Sequence, residues 1–257
     1  MLKKALCSTA LVAALVSFFC LPAAAQQKPQ VYRGVAQAGR LPVGTEEPCI
    51  SNQCLMYAGD FDAAGQNPNG LWNNNSELFG IEGAVYVPFT VPKKFKGAKG
   101  KTDWNVQGLF TNEQMLTPSV VSVSWAIVQG VASGGNPNGG QVKTICSGTA
   151  SATVTPTGRV AFGLPEQTVL STGISCPILE AGTYWMTYVP TCPDLAYLSD
   201  VEDNSPANAQ GPGTEPIDDS FFVSAAFGFP DFSDAAQVCG NIGCDAFSVG
   251  VIGSAVH

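Results

Sequence analysis

Short runs in which apolar residues alternate with polar or small ones recur along most of this chain. The run from Val120 to Gly130 is the clearest, because Val121, Val123, Trp125 and Ile127 fall on one side of an extended backbone. This two-residue period is typical of a β-strand with one buried face, and no long stretch shows the period of an amphipathic helix. The predicted strands are Ala84 to Val91, Asp103 to Phe110, Val120 to Gly130, Gln141 to Ser147, Ala152 to Thr155, Arg159 to Gly163, Thr168 to Ile174, Thr183 to Val189, Ser220 to Ser224 and Ala246 to Ile252. The chain is therefore predicted to be all-β.

Stretches rich in Gly and Pro separate these runs and are typical of turns. Gly134 to Gly140 and Thr155 to Gly158 are predicted to be hairpin connections. About ten short antiparallel strands joined by long loops favour a β-sandwich. A jelly-roll-like arrangement is preferred, because two facing sheets give each strand one dry side without crossover helices.

The N-terminus has the order of segments found in an export signal. Two lysines precede the apolar run Ala5 to Leu21, and Ala23-Ala24-Ala25 supplies small residues for cleavage. This order predicts a signal peptide over residues 1–25. A membrane anchor is the alternative, but the apolar run is short for a bilayer span.

Removal of that segment gives a mature chain that begins at Gln26. Residues 26–57 are predicted to form an N-terminal segment that contains a disulfide, and residues 58–257 a β-sandwich domain with a mobile acidic loop around 194–219. No later stretch is apolar enough to span a bilayer. The protein is expected to be secreted, or periplasmic if the producer has an outer membrane.

Composition excludes several functions. The 257 residues include one histidine, His257, so a Ser-His-Asp site, a Cys-His site or a zinc site built on imidazoles would depend on the last residue. Twelve Lys and Arg stand against 20 Asp and Glu, for a formal net charge of −8. Nucleic acid is not an expected partner, because binding to phosphates needs a basic surface.

Nine cysteines occur, and export makes disulfides chemically reasonable. Two short gaps predict the local pairs Cys49–Cys54 and Cys239–Cys244. Cys146, Cys176 and Cys192 allow one further bond with three choices, and the sequence does not select among them. The alternative use of the short-gap cysteines is a metal site, but the spacing is a poor zinc pattern.

The stretch from Gly59 to Glu77 is rich in side-chain oxygens. Asp60, Asp62 and Glu77 are candidate ligands for a structural calcium ion, which binds carboxylate and carbonyl oxygens. The spacing does not match an EF-hand. The preferred interpretation is a turn-rich loop, because Asn, Asp and Gly favour turns for conformational reasons. No other cofactor is expected.

A basic run and one tryptophan are the candidate ligand-binding residues. Lys93, Lys94 and Lys96 create a positive local potential that suits an acidic extracellular polysaccharide, a cell-surface component or an anionic membrane surface. The alternative is a solubilising loop that also discourages pairing at a sheet edge. Trp72 lies beside three asparagines and is a candidate for stacking on a sugar ring, with loop packing as the preferred interpretation.

The order of several short motifs resembles uncharacterised bacterial exported β-sandwich proteins related to those with Pro-Glu-Pro C-terminal sorting tails. The motifs are Gly59-Asp60-Phe61-Asp62, Asn69-Gly70-Leu71-Trp72-Asn73, Val85-Tyr86-Val87-Pro88-Phe89-Thr90-Val91-Pro92, Ser147-Gly148-Thr149-Ala150 and Gly182-Thr183-Tyr184-Trp185. The resemblance implies an exported sandwich and supplies no catalytic residues. The chain ends at His257 without such a tail, so the resemblance implies a protein that is soluble after export.

The sequence therefore predicts a secreted binding protein or a structural protein of the cell exterior, with no identifiable catalytic site. The alternative is a carbohydrate-active hydrolase that uses two carboxylates. An enzyme of that class would place two facing acids in a deep cleft, one of them with a raised pKa. No spacing among the acids identifies such a pair.

Overall fold

The computed structural model of this chain describes residues 54–59, 71–74, 82–94, 103–161, 163–193, 196–201, 211, 213, 220–239 and 246–256. The described residues form two packed antiparallel sheets, one of eight strands and one of six. The prediction of an all-β, jelly-roll-like sandwich is confirmed. In chain order the strands are β1 (Cys54–Tyr57), β2 (Leu71–Asn73), β3 (Ala84–Val91), β4 (Asp103–Met115), β5 (Ser122–Gln129), β6 (Lys143–Ala150), β7 (Thr153–Ala161), β8 (Leu164–Thr172), β9 (Gly182–Thr191), β10 (Ala196–Val201), β11 (Phe221–Ser224), β12 (Phe229–Asp234), β13 (Ala246–Phe247) and β14 (Val249–Val256).

The long strand β4 organises the eight-stranded sheet. One edge of β4 pairs first with β14, where Leu109 lies opposite Val251, and then with β10. The other edge pairs with β8, where Glu113 lies opposite Gln167. β7 extends the sheet beyond β8, β1 extends it beyond β14, and β2 and β13 pair with β10. β4 is therefore the strand that joins the two parts of this sheet.

The six-stranded sheet has the order β12, β11, β3, β9, β5, β6. The predicted alternation in β5 is present: Val123, Trp125 and Ile127 are buried between the sheets. Val121 was assigned to the same face, but it precedes the strand and is 69% exposed. The stretch from Gly130 to Val142 connects β5 to β6, so the predicted hairpin connection at Gly134 to Gly140 is confirmed.

Aromatic rings join the two sheets in the core. The Phe89 ring of β3 stacks on Trp104 of β4, with centroids 5.7 Å apart, and on Tyr184 of β9, with centroids 5.6 Å apart. All three side chains are buried. Because Trp104 belongs to the eight-stranded sheet and the other two to the six-stranded sheet, this stack fixes the separation of the sheets near the start of β4.

A second apolar cluster covers the outer face of the six-stranded sheet. It contains Val128, Val131, Phe221 and Phe232. The connection after β5 folds over this cluster, and the Gly134 amide donates to the Phe232 carbonyl at 2.8 Å. The part of this face beneath the cluster is therefore dry, which explains why Val128 is buried although it lies on the opposite side of β5 from Val123, Trp125 and Ile127.

The prediction of a turn at Thr155 to Gly158 is wrong, because these residues lie within the single strand β7. Pro156 pairs with Gln167, and the register shifts between Pro156 and Val160. β7 is an edge strand, where proline and a bulge are tolerated. The turn between β7 and β8 lies instead at Gly163, whose φ of 81° favours glycine.

The predicted acidic loop around 194–219 contains a strand, since Ala196–Val201 forms β10. The strands β1, β2 and β12 were not predicted either, and a short helix, α1 (Ala235–Cys239), follows β12.

The predicted signal peptide, residues 1–25, lies outside the described residues. Within the described part of the chain, no helix has the length and apolar character needed to cross a membrane.

Candidate functional site

Two of the three candidate lysines lie on the surface at one end of the six-stranded sheet. Lys93 and Lys94 follow β3 after Pro92 and are exposed, whereas Lys96 lies outside the described residues. The sheet register brings Lys143, at the start of β6, to the same end. Three strand spacings separate β3 from β6, or about 14 Å. Lys143 was not predicted, because 49 residues separate it from Lys94 in the sequence.

Trp72 does not lie near these lysines. The structure describes its backbone in β2, opposite Leu198 of β10, and Leu198 lies opposite Glu113. The end of the sandwich that carries Lys93, Lys94 and Lys143 is called the lysine end. It is level with Trp104, which stacks on Phe89. Nine residues of β4 separate Trp104 from Glu113, which is about 30 Å along the strand. The candidate aromatic and the candidate lysines therefore lie at different ends of the molecule.

The candidate calcium ligands Asp60, Asp62 and Glu77 lie outside the described residues. Elsewhere in the chain, over the residues that the structure covers, no group of three or more His, Cys, Asp or Glu side chains is close enough to hold a metal ion. Structural calcium at Asp60, Asp62 and Glu77 stays a prediction.

The structure pairs Cys146 with Cys176, whose Cα atoms lie 5.3 Å apart. This bond ties β6 of the six-stranded sheet to the segment that follows β8 of the eight-stranded sheet. Cys192 is buried and takes no part in it. Cys54 is also disulfide-bonded, to a residue outside those whose side chains are described. Cys49 and Cys244 lie outside the described residues, as does the side chain of Cys239.

Four consecutive polar residues, Thr111 to Gln114, continue β4 beyond its predicted end, and all are at least 98% buried. The predicted strand stopped at Phe110 because the hydrophobic pattern stops there. Successive strand residues point to opposite faces of the sheet. Thr111 and Glu113 therefore face the interior between the sheets, with Leu109 and Met115, while Asn112 and Gln114 face the outer side.

On the outer face, a buried ion pair joins β7 to β8. Arg159 Nε donates to Glu166 Oε2, and the two side chains are 4% and 0% exposed. The Thr157 hydroxyl donates to the same carboxylate oxygen at 2.7 Å. Thr157 and Arg159 are two residues apart on β7, so both side chains lie on the face that carries the Glu166 carboxylate.

Asn112 is the centre of a second outer-face network. Its amide donates to Ser248 Oγ at 2.7 Å and to the Tyr57 hydroxyl at 3.0 Å, while its oxygen accepts from Thr168 Oγ1 at 2.7 Å. The partners come from β1, from β8 and from the junction of β13 and β14. One side chain therefore ties four segments of the sheet together.

Glu113 is the titratable group on the inner face. Asn74 Nδ2 donates to Glu113 Oε1 at 2.7 Å and to the Tyr188 carbonyl at 2.9 Å, which bridges the two sheets. Burial raises the pKa of Glu113 to about 8, against the lowering effect of Asn74 and Thr111 and with a further rise from the charge of Glu166. Thr111 Oγ1 and Glu113 Oε2 nevertheless make no hydrogen bond of normal geometry.

The two buried glutamates do not form a catalytic pair. Glu113 lies opposite Gln167, and the next pair along the strands is Gln114 with Glu166, so the two carboxyl groups point to opposite faces of one sheet. Both are 0% exposed. A glycosidase needs two acids on either side of a bound sugar. This arrangement gives a substrate no access to either group.

No protein-family model, curated protein or solved structure matches this chain.

Proposed function

We propose that this protein is an exported, disulfide-stapled β-sandwich that acts by binding an anionic polymer of the cell exterior. The observation that carries the proposal is the exposure of Lys93 and Lys94 at the same end of the six-stranded sheet as Lys143. None of these lysines forms an ion pair with a described residue. Exposed, unpaired ammonium groups are available to contact carboxylate or sulfate groups on a polymer.

The disulfide supports the export part of the proposal. Disulfides persist in oxidising compartments outside the cytosol, and Cys146–Cys176 joins β6 to the connection between β8 and β9. The sequence features of a signal peptide agree with this, and we propose that the chain is related to the bacterial exported sandwich proteins that it resembles. Mass spectrometry of secreted material should then find a chain that begins at Gln26.

Surface charge at the lysine end is mixed. Glu180 is exposed and precedes β9 by two residues, and Asp103 stands at the start of β4. Both acids also affect Tyr184, whose pKa is raised by burial first and then by Glu180 and Asp103. Because their negative charge repels an anionic polymer, neutralising one of these acids should strengthen binding, whereas neutralising the lysines should weaken it.

The test measures binding of the purified protein to alginate, with dextran as the uncharged polymer, at low and high salt. Replacing Lys93, Lys94 and Lys143 together by Gln should weaken alginate binding, whereas replacing all three by Arg should preserve it because the charge remains. Glu180→Gln should strengthen it. Binding of the parent should fall as salt rises, because exposed charges are screened over about 10 Å at 0.1 M. Equal binding by the Gln and Arg variants at low salt would refute the proposal.

A further inference from the structure

Four buried oxygen atoms on or beside the inner face of the eight-stranded sheet make no hydrogen bond. They are Glu113 Oε2, Gln167 Oε1, Thr111 Oγ1 and Asn74 Oδ1. The side chains are between 0% and 4% exposed, so bulk water does not satisfy them. A buried polar atom without a partner is costly, and most such atoms in native proteins have one. Thr111 carries its own hydroxyl hydrogen, whereas an ionised Glu113 and the amide oxygens of Gln167 and Asn74 can only accept, so these three oxygens lack a donor.

The strand register brings the first three of these oxygens together. Glu113 lies directly opposite Gln167, and Thr111 lies two residues earlier on the same face of β4. Side chains that are directly opposite in an antiparallel pair have Cβ atoms about 5 Å apart. The donor that reaches this carboxyl, Asn74 Nδ2, is bonded to the other oxygen, Oε1, and to the Tyr188 carbonyl. Glu113 therefore shares one face of the sheet with the Gln167 amide and the Thr111 hydroxyl, and its Oε2 is the carboxyl oxygen not bonded to Asn74.

We propose that the Glu113 carboxyl is protonated in the folded protein and donates its hydrogen to Gln167 Oε1, forming a proton-dependent link between β4 and β8 in the interior of the sandwich. The proton comes from solvent, and no other bond forms or breaks. The neutral carboxyl still accepts from Asn74 through Oε1. One proton therefore satisfies two of the four unpartnered oxygens and leaves the bridge to Tyr188 intact.

The groups around Glu113 favour the neutral form. Tyr188 of β9 faces it with its hydroxyl bonded to Ser171 at 2.7 Å, and burial holds the pKa of that hydroxyl above its usual range. Glu166 of β8 adds negative charge, while Arg159 lies on the far face and is paired with Glu166. Among the described side chains that pack against Glu113 from β4, β8, β9 and the end of β2, none is a Lys, Arg or His.

The proton couples folding to pH in a defined direction. The pKa of Glu113 is raised in the folded chain from 4.5 to about 8, so between these values the folded state holds a proton that the unfolded state releases. The unfolding equilibrium constant should therefore rise by up to tenfold for each pH unit through this range. Below the range both states are protonated, and above it both are ionised, so Glu113 contributes no slope there. The stabilisation that Glu113 contributes is therefore complete below about pH 4.5 and is lost as the pH rises to about 8.

The test compares urea unfolding of the full chain at pH 5, 6, 7 and 8 for the parent and for Glu113→Gln. The glutamine amide has the same shape, stays neutral and donates to Gln167. Other acids contribute equally to both proteins, so the difference between the two profiles isolates Glu113. For each rise of one pH unit, we expect the unfolding equilibrium constant of the parent to increase by up to tenfold relative to that of the variant. Glu180→Gln changes an exposed acid, so the pH profile of its stability should match that of the parent.

Parallel profiles for the parent and Glu113→Gln would overturn the proposal, because Glu113 would then be ionised at pH 7 and its oxygens satisfied by a water molecule or a cation. If Glu113→Gln does not fold, infrared spectroscopy of the parent decides instead. The carbonyl stretch of a protonated carboxylic acid should persist in the folded chain at pH 7 and disappear on unfolding. Its absence from the folded chain at pH 7 would also overturn the proposal.

Discussion

Arg159 and Glu166 form an ion pair between adjacent strands in which neither side chain reaches solvent to a significant extent. Removing the charge of one partner leaves the other buried and uncompensated, which costs about 3–5 kcal/mol. Glu166→Gln should therefore lower the free energy of unfolding by about that amount. Urea unfolding monitored by circular dichroism measures the change.

The matched control for this ion pair removes both charges. Arg159→Met combined with Glu166→Gln should recover much of the loss, because no unpaired charge remains in the interior. A double variant no more stable than Glu166→Gln alone would contradict this account, because the unpaired charge of Arg159 would then carry no cost.

Gly250 allows β14 to pack closely against its neighbours. A Cβ atom there would overlap the ring of Phe110 and lie 3.0 Å from the Met56 carbonyl oxygen. Overpacking of a filled core costs about 1–3 kcal/mol, and more where backbone must move. Gly250→Ala should therefore destabilise the protein by at least the upper part of this range. Gly140→Ala is the control, because no heavy atom lies within 4 Å of that position and the change should stay within about 0.5 kcal/mol.

The Cys146–Cys176 bond closes a loop with a sequence separation of 30 residues. Loop-closure entropy in the unfolded chain predicts that loss of this bond costs about 3–4 kcal/mol. Replacing both cysteines by Ser should lower the free energy of unfolding by that amount. Reductant should destabilise the parent by more than it destabilises the double variant, in which only bonds such as that of Cys54 remain. Equal sensitivity to reductant would contradict the assignment.

Asn112 connects four segments through three hydrogen bonds in a region without access to solvent. Leucine has a volume similar to that of asparagine, but Asn112→Leu leaves the Tyr57, Thr168 and Ser248 hydroxyls without this partner. Each unsatisfied buried group costs about 1–3 kcal/mol, so the variant should lose more than 2 kcal/mol. Thermal unfolding should show the loss, and Asn138→Leu, in the exposed turn before β6, should leave the melting temperature nearly unchanged.

Strands with one apolar face were predictable from the sequence, and those stabilised by polar contacts were not. β3 has the predicted bounds, Ala84–Val91, because every second residue from Val85 to Val91 is apolar and buried. β4 was predicted to stop at Phe110, since nothing in the local pattern indicates that Thr111 to Gln114 are buried. β7 was divided at Thr155 to Gly158, because a proline two residues before a glycine suggests a turn, whereas the structure places both in an edge strand with a register shift.

The candidate site was less predictable than the fold. Glu113 and Glu166 are two of 20 acids, and no spacing distinguishes them. Their properties come from neighbours far away in the sequence: Asn74 is 39 residues from Glu113, and Tyr188 is 114 residues from Asn74. Lys143 joins the lysine end for the same reason, through strand pairing that a local pattern does not encode.

The position of β14 makes the eight-stranded sheet depend on contacts between distant parts of the chain. β14 pairs with β4 along one edge and with β1 along the other, although both partners come from the first half of the sequence. Contacts between such distant segments form slowly, because the intervening chain must first be ordered. Until β14 is in place, β1 and β4 lack the neighbour that they share, so we expect this part of the sheet to form late in folding.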